Sequence, residues 1–379
     1  MSIEPFSIEV PESVLTDLRR RLEMTRWPDE IEGSGWDYGM NLAYLRELVA
    51  YWLDSFDWRA QEQLLNSFPQ FKAEVDGMGL HFIHAKGQGP DPLPLIISHG
   101  WPGSFFEMYK IIGPLTDPAN HGGDPQDSFD VIVPSLPGYG FSDRPDMRGV
   151  DVKRVAELFM QLMTQELGYE RFGAQGGDWG SAISLRLGEA YPDKLIGVHV
   201  NMLPVKLEPS EEEPSEDEQR WRKQLQQFQK DGGGYSHIQG TRPQTLAYGL
   251  NDSPAGLAGW IVEKFRAWSD CHNDIECVFS KDELLTNVMI YWVTQTINSS
   301  MRLYYENSHS DSVVGSRVEV PTGVAIFPRE IMIPPQGLAS QQYNIQRWAT
   351  MGAGGHFAAL EQPAALVHEI RAFFRQLRK

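Results

Sequence analysis

"GGDWG", Gly176 to Gly180, is the stretch on which the fold reading turns. The pattern small–x–nucleophile–x–small usually carries Ser or Cys at its centre, and here the centre is Asp178. The residues before it, "RFGAQGG", lead in as a strand, and "SAISLRLGEAYP" continues as a helix. The flanking glycines permit a tight, strained turn that pushes one side chain out at the C-terminal edge of a sheet. The helix behind adds a positive N-terminal dipole, which favours a carboxylate. Taken alone the pattern is weak, because an Asp in this place also serves to cap the following helix.

Outward from this turn, strands and helices alternate. "LPLIISHG" is a short apolar run ending at His99-Gly100, "FDVIVPSLPG" ends at Pro137-Gly138, and "VAELFMQLMTQELG" has helical period up to Gly168. "LIGVHVNML" is a further strand. The alternation predicts an α/β protein with a mainly parallel sheet covered by helices. After Asn201 the pattern breaks. The acidic "EPSEEEPSEDE" (Glu208 to Glu218) reads as a solvated linker or exposed helix start without chemistry. From there to about Ser310 the chain reads as helices, with "DELLTNVMIYWVTQTINSSMRLYYE" as one run. "VPTGVAIFP" and "NIQRWATMGAGGH" resume the strands, and "ALVHEIRAFFRQLRK" closes as an amphipathic helix with a basic end. Before the alternation, a helix ended by Pro28, a second helix in "NLAYLRELVAYWLDSF", and two strands around Asp76-Gly77 form an extension. The expected organisation is an extension over 1–90, a core over 91–204 and 313–379, and a helical insertion over 205–312.

Composition narrows the function. A net charge of −18 disfavours nucleic acid and anionic membrane as partners. The two cysteines are too few for a disulfide framework, and Cys271-His272-x4-Cys277 lacks a second ligand pair, so free thiols and no metal are expected. The N-terminus has neither a basic n-region nor an apolar h-region, and no window offers ~20 consecutive apolar residues. A cytoplasmic protein without a membrane anchor is expected.

Two features strengthen the catalytic reading of Asp178. Along the chain the order is nucleophile, acid, His, as in the α/β-hydrolase arrangement. His356 follows the last predicted strand in "GAGGHFAALEQP", and Glu330 ends "VAIFPRE" just beyond the strand before it. A carboxylate there holds an imidazole in one tautomer and stabilises the imidazolium. The plainer readings are a loop histidine and a solvated loop charge. "HGWPGSFFE" begins at His99, where the oxyanion-hole loop should follow its strand, and Trp101-Pro102 is a candidate cis bond. Backbone N–H groups near Trp101 and Trp179 would face a developing oxyanion. An Asp nucleophile suits a saturated electrophilic carbon: Ser would leave an ether, whereas Asp leaves an ester that a His-activated water can cleave. An epoxide then needs acid donors such as phenols, and a halide needs only N–H donors.

Long stretches make the resemblance specific. "FSIEVPESVLTDLRRRLEMTRWPDE", "HGWPGSFFEMYKIIGPL", "PSLPGYGFSDRP", "AQGGDWGS", "NVMIYWVTQTINSSMRLYYEN" and "GGHFAALEQP" resemble the epoxide hydrolases of the microsomal and juvenile-hormone type over nearly the whole chain. The resemblance implies an α/β-hydrolase core with a helical lid insertion and an N-terminal extension that wraps the core. It implies Asp178 as nucleophile, Glu330 as charge-relay acid, His356 as base, and Tyr235 and Tyr304 as acid donors, with Tyr305 adjacent as the alternative. No cofactor is implied. The expected partners are an apolar epoxide and water, and a homodimer stays open. His99, Gly100, Pro102 and Trp101 would form the oxyanion loop, with Phe105, Trp179 and Trp292 lining an apolar pocket. A haloalkane dehalogenase and a non-catalytic ligand-binding member of the fold are the rival readings.

Overall fold

A computed structural model describes residues 3–207, 213–310 and 316–378 of the chain. Nine strands form one sheet: β1 (Glu4–Phe6), β2 (Gln70–Val75), β3 (Met78–Ala85), β4 (Leu93–Ser98), β5 (Phe129–Pro134), β6 (Phe172–Gly176), β7 (Leu195–Val200), β8 (Val318–Ile326) and β9 (Tyr343–Thr350). Their order is β1-β2-β3-β5-β4-β6-β7-β8-β9. β5, β4, β6, β7, β8 and β9 run parallel, and β1, β2 and β3 add antiparallel pairings at one edge. The central strands are buried on both faces, as in a mainly parallel sheet: every residue of β5 and β6 is buried, Asp130 and Gln175 included. This is the α/β-hydrolase fold. The reversal from β5 through β4 to β6 puts a crevice at the carboxyl ends of β4 and β6, where Gly100 and Asp178 emerge.

Local chemistry explains the elements that matter here. Asp76 (φ 48) and Gly77 (φ 77) close the β2–β3 hairpin with the positive φ values that a two-residue hairpin turn requires. The predicted extension therefore supplies strands to the sheet itself. Its first helix spans Glu12–Glu23, stopping short of Pro28, and the extension contains a further helix, Trp58–Asn66, which the sequence reading did not resolve.

Between β7 and β8 the described residues form helices Glu216–Asp231, Gly234–Thr241, Pro243–Leu250, Pro254–Trp268, Lys281–Thr294 and Ile297–Ser308. The acidic linker falls partly on 208–212, and the expected end of the insertion falls on 311–315; both lie outside the described residues. Tyr235 lies in the first turn of the helix Gly234–Thr241. One expectation is corrected. The long run from Asp282 to Glu306 is two helices, broken where Gln295 turns left-handed (φ 53) and its N–H bonds back to the Trp292 carbonyl. No glycine marks that stop, so only the fold reveals it. The later helix starts are conventional: Ser280 and Glu283 form a reciprocal capping box before Lys281.

Around the turn at Gly176–Gly180, glycine is required by contact. A Cβ on Gly180 would lie 1.9 Å from the Ser98 carbonyl oxygen of β4. Alanine there gains about 1 kcal/mol of helix propensity. Overpacking a core position costs about 1–3 kcal/mol, and a backbone atom cannot swing aside, so the cost lies at the upper end. Gly180→Ala is therefore expected to lower stability on balance, read as a lower midpoint in chemical denaturation; an unchanged midpoint would contradict the packing argument.

Candidate active site

Asp178 opens the helix Asp178–Ala190, directly after β6. Its φ of 50° is left-handed, a conformation that L side chains rarely adopt and that marks stored strain at a functional turn. The helix is N-capped by Gly177 with no side-chain cap bond, so the capping alternative does not describe Asp178. Its carboxylate points instead across the crevice: the Trp101 backbone N–H donates to Oδ1 at 2.8 Å. The Trp101-Pro102 peptide is cis.

His356 comes from the turn after β9. Its Nδ1 is 2.7 Å from Glu330 Oε1, and its Nε2 is 3.6 Å from Asp178 Oδ2. Glu330 stands four residues beyond the end of β8; its side chain is fully buried, and the Ile331 N–H also donates to Oε1. The three predicted chain-order positions are thus brought within contact of one another. Burial pushes the Asp178 carboxyl up, opposed by the His356 charge and by the Trp101 and Trp179 backbone N–H groups. For His356 burial acts downward, but the Glu330 charge and hydrogen bond, with Asp178 behind them, prevail and raise it to about 9. His356 is therefore held as imidazolium at neutral pH, beside Asp178.

Opposite Asp178 stand the two tyrosines. The Tyr235 ring stacks on Trp101 with centroids 5.2 Å apart, and Tyr304 meets Trp179 edge-on at 4.7 Å. The two tyrosine rings lie 5.9 Å from each other. Burial, reinforced by the Asp178 charge, pushes the Tyr235 phenol well above its ordinary range, so it is held protonated. Tyr304 is raised likewise, by burial first. Tyr305 stacks on His309 instead and is not among the residues lining the pocket at Asp178. That pocket, of 1020 Å³, is bounded by Asp178, Trp179, Phe228, Tyr235, Tyr304 and Met332.

Other predicted residues fall elsewhere. Trp292 lines a separate cavity of 560 Å³ with Arg21 and Asp252 and is not among the residues lining the pocket at Asp178. Phe105 is fully buried against His81 and Phe141 and does not line the pocket. His99 is spent on structure: its Nδ1 faces the Gly100 carbonyl, its Nε2 accepts from the Leu136 N–H, and burial lowers it to about 4. Gly100 has no room for a Cβ, which would sit 2.2 Å from Asp178 Oδ1. The Pro102 carbonyl accepts from Asn287 Nδ2, and the Gly103 carbonyl from the Tyr291 hydroxyl, so the helix Lys281–Thr294 clamps the loop.

The sequence reading missed Trp268. Its ring lies 5.1 Å from His356 and 5.0 Å from Tyr235, and its carbonyl accepts the His356 N–H at 2.9 Å. No motif flags a tryptophan at the end of a helix ~90 residues away in sequence, since its role arises by contact alone.

Fold and site together define an α/β-hydrolase-fold enzyme with an aspartate at the strand–helix turn. Residues 3–108 match the family model described as epoxide hydrolase N terminus, and residues 94–233 match that described as alpha/beta hydrolase fold. Epoxide hydrolase 1 of Sus scrofa is 39% identical over 403 residues, covering 98% of this chain and 88% of that protein. The crystal structure of juvenile hormone epoxide hydrolase from the silkworm Bombyx mori superposes with a TM-score of 0.90 at 30% identity, over 100% of this chain and 95% of that one. The Aspergillus niger epoxide hydrolase structure gives 0.87 at 30% identity, over 100% and 97%. The chain belongs to the epoxide hydrolase family.

Removing the Glu330 charge takes away the largest upward influence on His356. In Glu330→Gln the imidazole pKa is expected to fall below about 9, followed by NMR titration, with kcat reduced about 10³- to 10⁴-fold, as when the orienting carboxylate of a triad is lost. A titration unmoved by the substitution would remove Glu330 from the site.

Proposed function

We propose that the enzyme opens an apolar epoxide to a vicinal diol in two steps through an ester on Asp178. The observation that carries this reading is the convergence of Asp178, His356 and Glu330 beneath two protonated phenols. In the first step Asp178 Oδ2 attacks an epoxide carbon, the C–O bond breaks, and the departing oxygen takes a proton from Tyr235 or Tyr304. Oδ2 is the better nucleophile because Oδ1 is already bound by the Trp101 N–H. In the second step His356, as the free base, takes a proton from water; the hydroxide adds to Asp178 Cγ. Oδ1 then carries the oxyanion toward the Trp101 and Trp179 N–H groups. Collapse breaks the Cγ–Oδ2 bond and expels the diol oxygen, which takes the proton from His356; Asp178 releases the remaining water proton to solvent, and solvent returns one to the phenolate.

The charges suit this order. Before reaction the Asp178 carboxylate and the Glu330 carboxylate hold His356 protonated. Esterification removes one of those negative charges, so the imidazole pKa falls just as a base is needed. The apolar pocket walls support an apolar epoxide as substrate, and we assign residues 205–312 the role of a lid over the core, with 1–90 wrapping it. A cytoplasmic, epoxide-clearing role is consistent with the acidic chain; among the described residues no helix is long and apolar enough to cross a membrane.

His356→Gln, given an aryl epoxide, is expected to accumulate an adduct of whole-epoxide mass on the Asp178 peptide. An adduct of an alkyl group without halogen, formed from a haloalkane, would favour dehalogenation instead. Tyr235→Phe and Tyr304→Phe are each expected to slow adduct formation by about 10²-fold, as loss of a general acid does; rates unaffected by both would take the tyrosines out of the reaction.

A further inference from the structure

The second step needs a water held in line with Asp178 Cγ, and the triad alone offers it one partner. Asp178 also borders a second cavity, distinct from the 1020 Å³ pocket, of about 10 Å³. A buried water requires about 10–15 Å³ and two to four polar partners, so this is the size of one molecule. His356, Asp178, Gln175, Asn201 and Glu107 border it.

Gln175, Asn201 and Glu107 have no role in the chemistry described above. Gln175, on β6, is 1% exposed; its Nε2 donates to Asn201 Oδ1 at 3.0 Å, and its Oε1 is buried without a partner. Glu107, in the short turn Phe105–Met108 after the cis bond, is 9% exposed. Its carboxyl folds over Gly103, where a Cβ would come 1.5 Å from Oε1. Gly103 is thus the absence of a side chain that admits this carboxyl to the cavity. Burial of this carboxyl costs stability that the His356 charge offsets only in part, and such a cost is kept where the group has work to do.

We propose that this cavity holds the hydrolytic water and that Glu107 is its positioning residue. The proposal rests on the two-step reading given above. The water gives one hydrogen to the His356 imidazole and the other to a Glu107 oxygen, leaving a lone pair directed at Asp178 Cγ. The His356 proton transfer is unchanged, so no extra co-reactant enters. Burial raises Glu107 to about 8, with the His356 charge opposing and the Asp178 charge adding to that rise, so the carboxyl is coupled to both reacting groups.

The test compares the two half-reactions with styrene oxide as probe, in the full-length enzyme. Glu107→Leu fills the same space without a polar atom. It is expected to slow ester hydrolysis about 10- to 100-fold, the cost of a misplaced reactant. Adduct formation should stay within about twofold, so that kcat and KM fall together and kcat/KM holds. Glu107→Gln retains an acceptor oxygen and should restore most of the hydrolysis rate, which a merely structural role would not predict. Equal slowing of both half-reactions in Glu107→Leu, or hydrolysis at the wild-type rate, would overturn the proposal. His356→Gln run in parallel separates the failures. An adduct there with normal hydrolysis in Glu107→Leu refutes only Glu107, whereas no adduct there refutes the two-step reading and this proposal with it.

Discussion

Everything at the site depends on how closely the chain after β6 approaches the end of β4. The Gly180 Cα faces the Ser98 carbonyl with no space for a methyl group, and Gly176 lies against the backbone of Gly180 in the same way. That contact forces the turn between strand and helix to be tight, and the tightness places Asp178 at positive φ with its carboxylate over the crevice. From there the Trp101 N–H reaches Oδ1 because the loop after β4 is pressed against the same turn, again through a glycine, Gly100. A side chain at any of these positions would separate the carboxylate from the donors that stabilise its charge. The strain at Asp178 is sustained by a sheet that is buried on both faces and cannot relax locally.

Electrostatics is the second organising constraint. Asp178, Glu330 and Glu107 are three carboxyl groups gathered around one imidazole in a region sheltered from water. Burial disfavours the Asp178 and Glu107 charges, and both groups are coupled to His356. Changing the state of Asp178, as an ester would, changes the proton affinity of His356. The helical insertion contributes to this coupling physically: Trp268 accepts the His356 N–H, and Tyr291 and Asn287 hold the loop that carries Trp101. The elements over the crevice therefore also fix the geometry beneath it.

What could be read without the fold followed from local rules. Apolar runs marked β4 to β9, the glycines around Asp178 marked the turn, and the order Asp178, Glu330, His356 marked a hydrolase arrangement. Failures came where contact overrides local preference. Trp292 was taken as pocket lining from its aromatic character, but it lines another cavity. Glu107 and Trp268 carried no signal, because their neighbours are distant along the chain.

By itself, the sequence determined the class of fold, the identity of the residue at the turn and the separation of the site into a carboxylate, an acid and a histidine. These rest on periodicity, on glycine's freedom at positive φ and on residue chemistry, all of which are local properties of the chain. Only the tertiary structure decided which of two adjacent tyrosines faces Asp178, which oxygen of the carboxylate the Trp101 N–H binds, and that Glu107 and Gln175 share a water-sized cavity with His356. The physical reason is distance: each is an arrangement of ångström-scale contacts between segments tens to hundreds of residues apart, and such contacts exist only once the sheet has brought those segments to one edge.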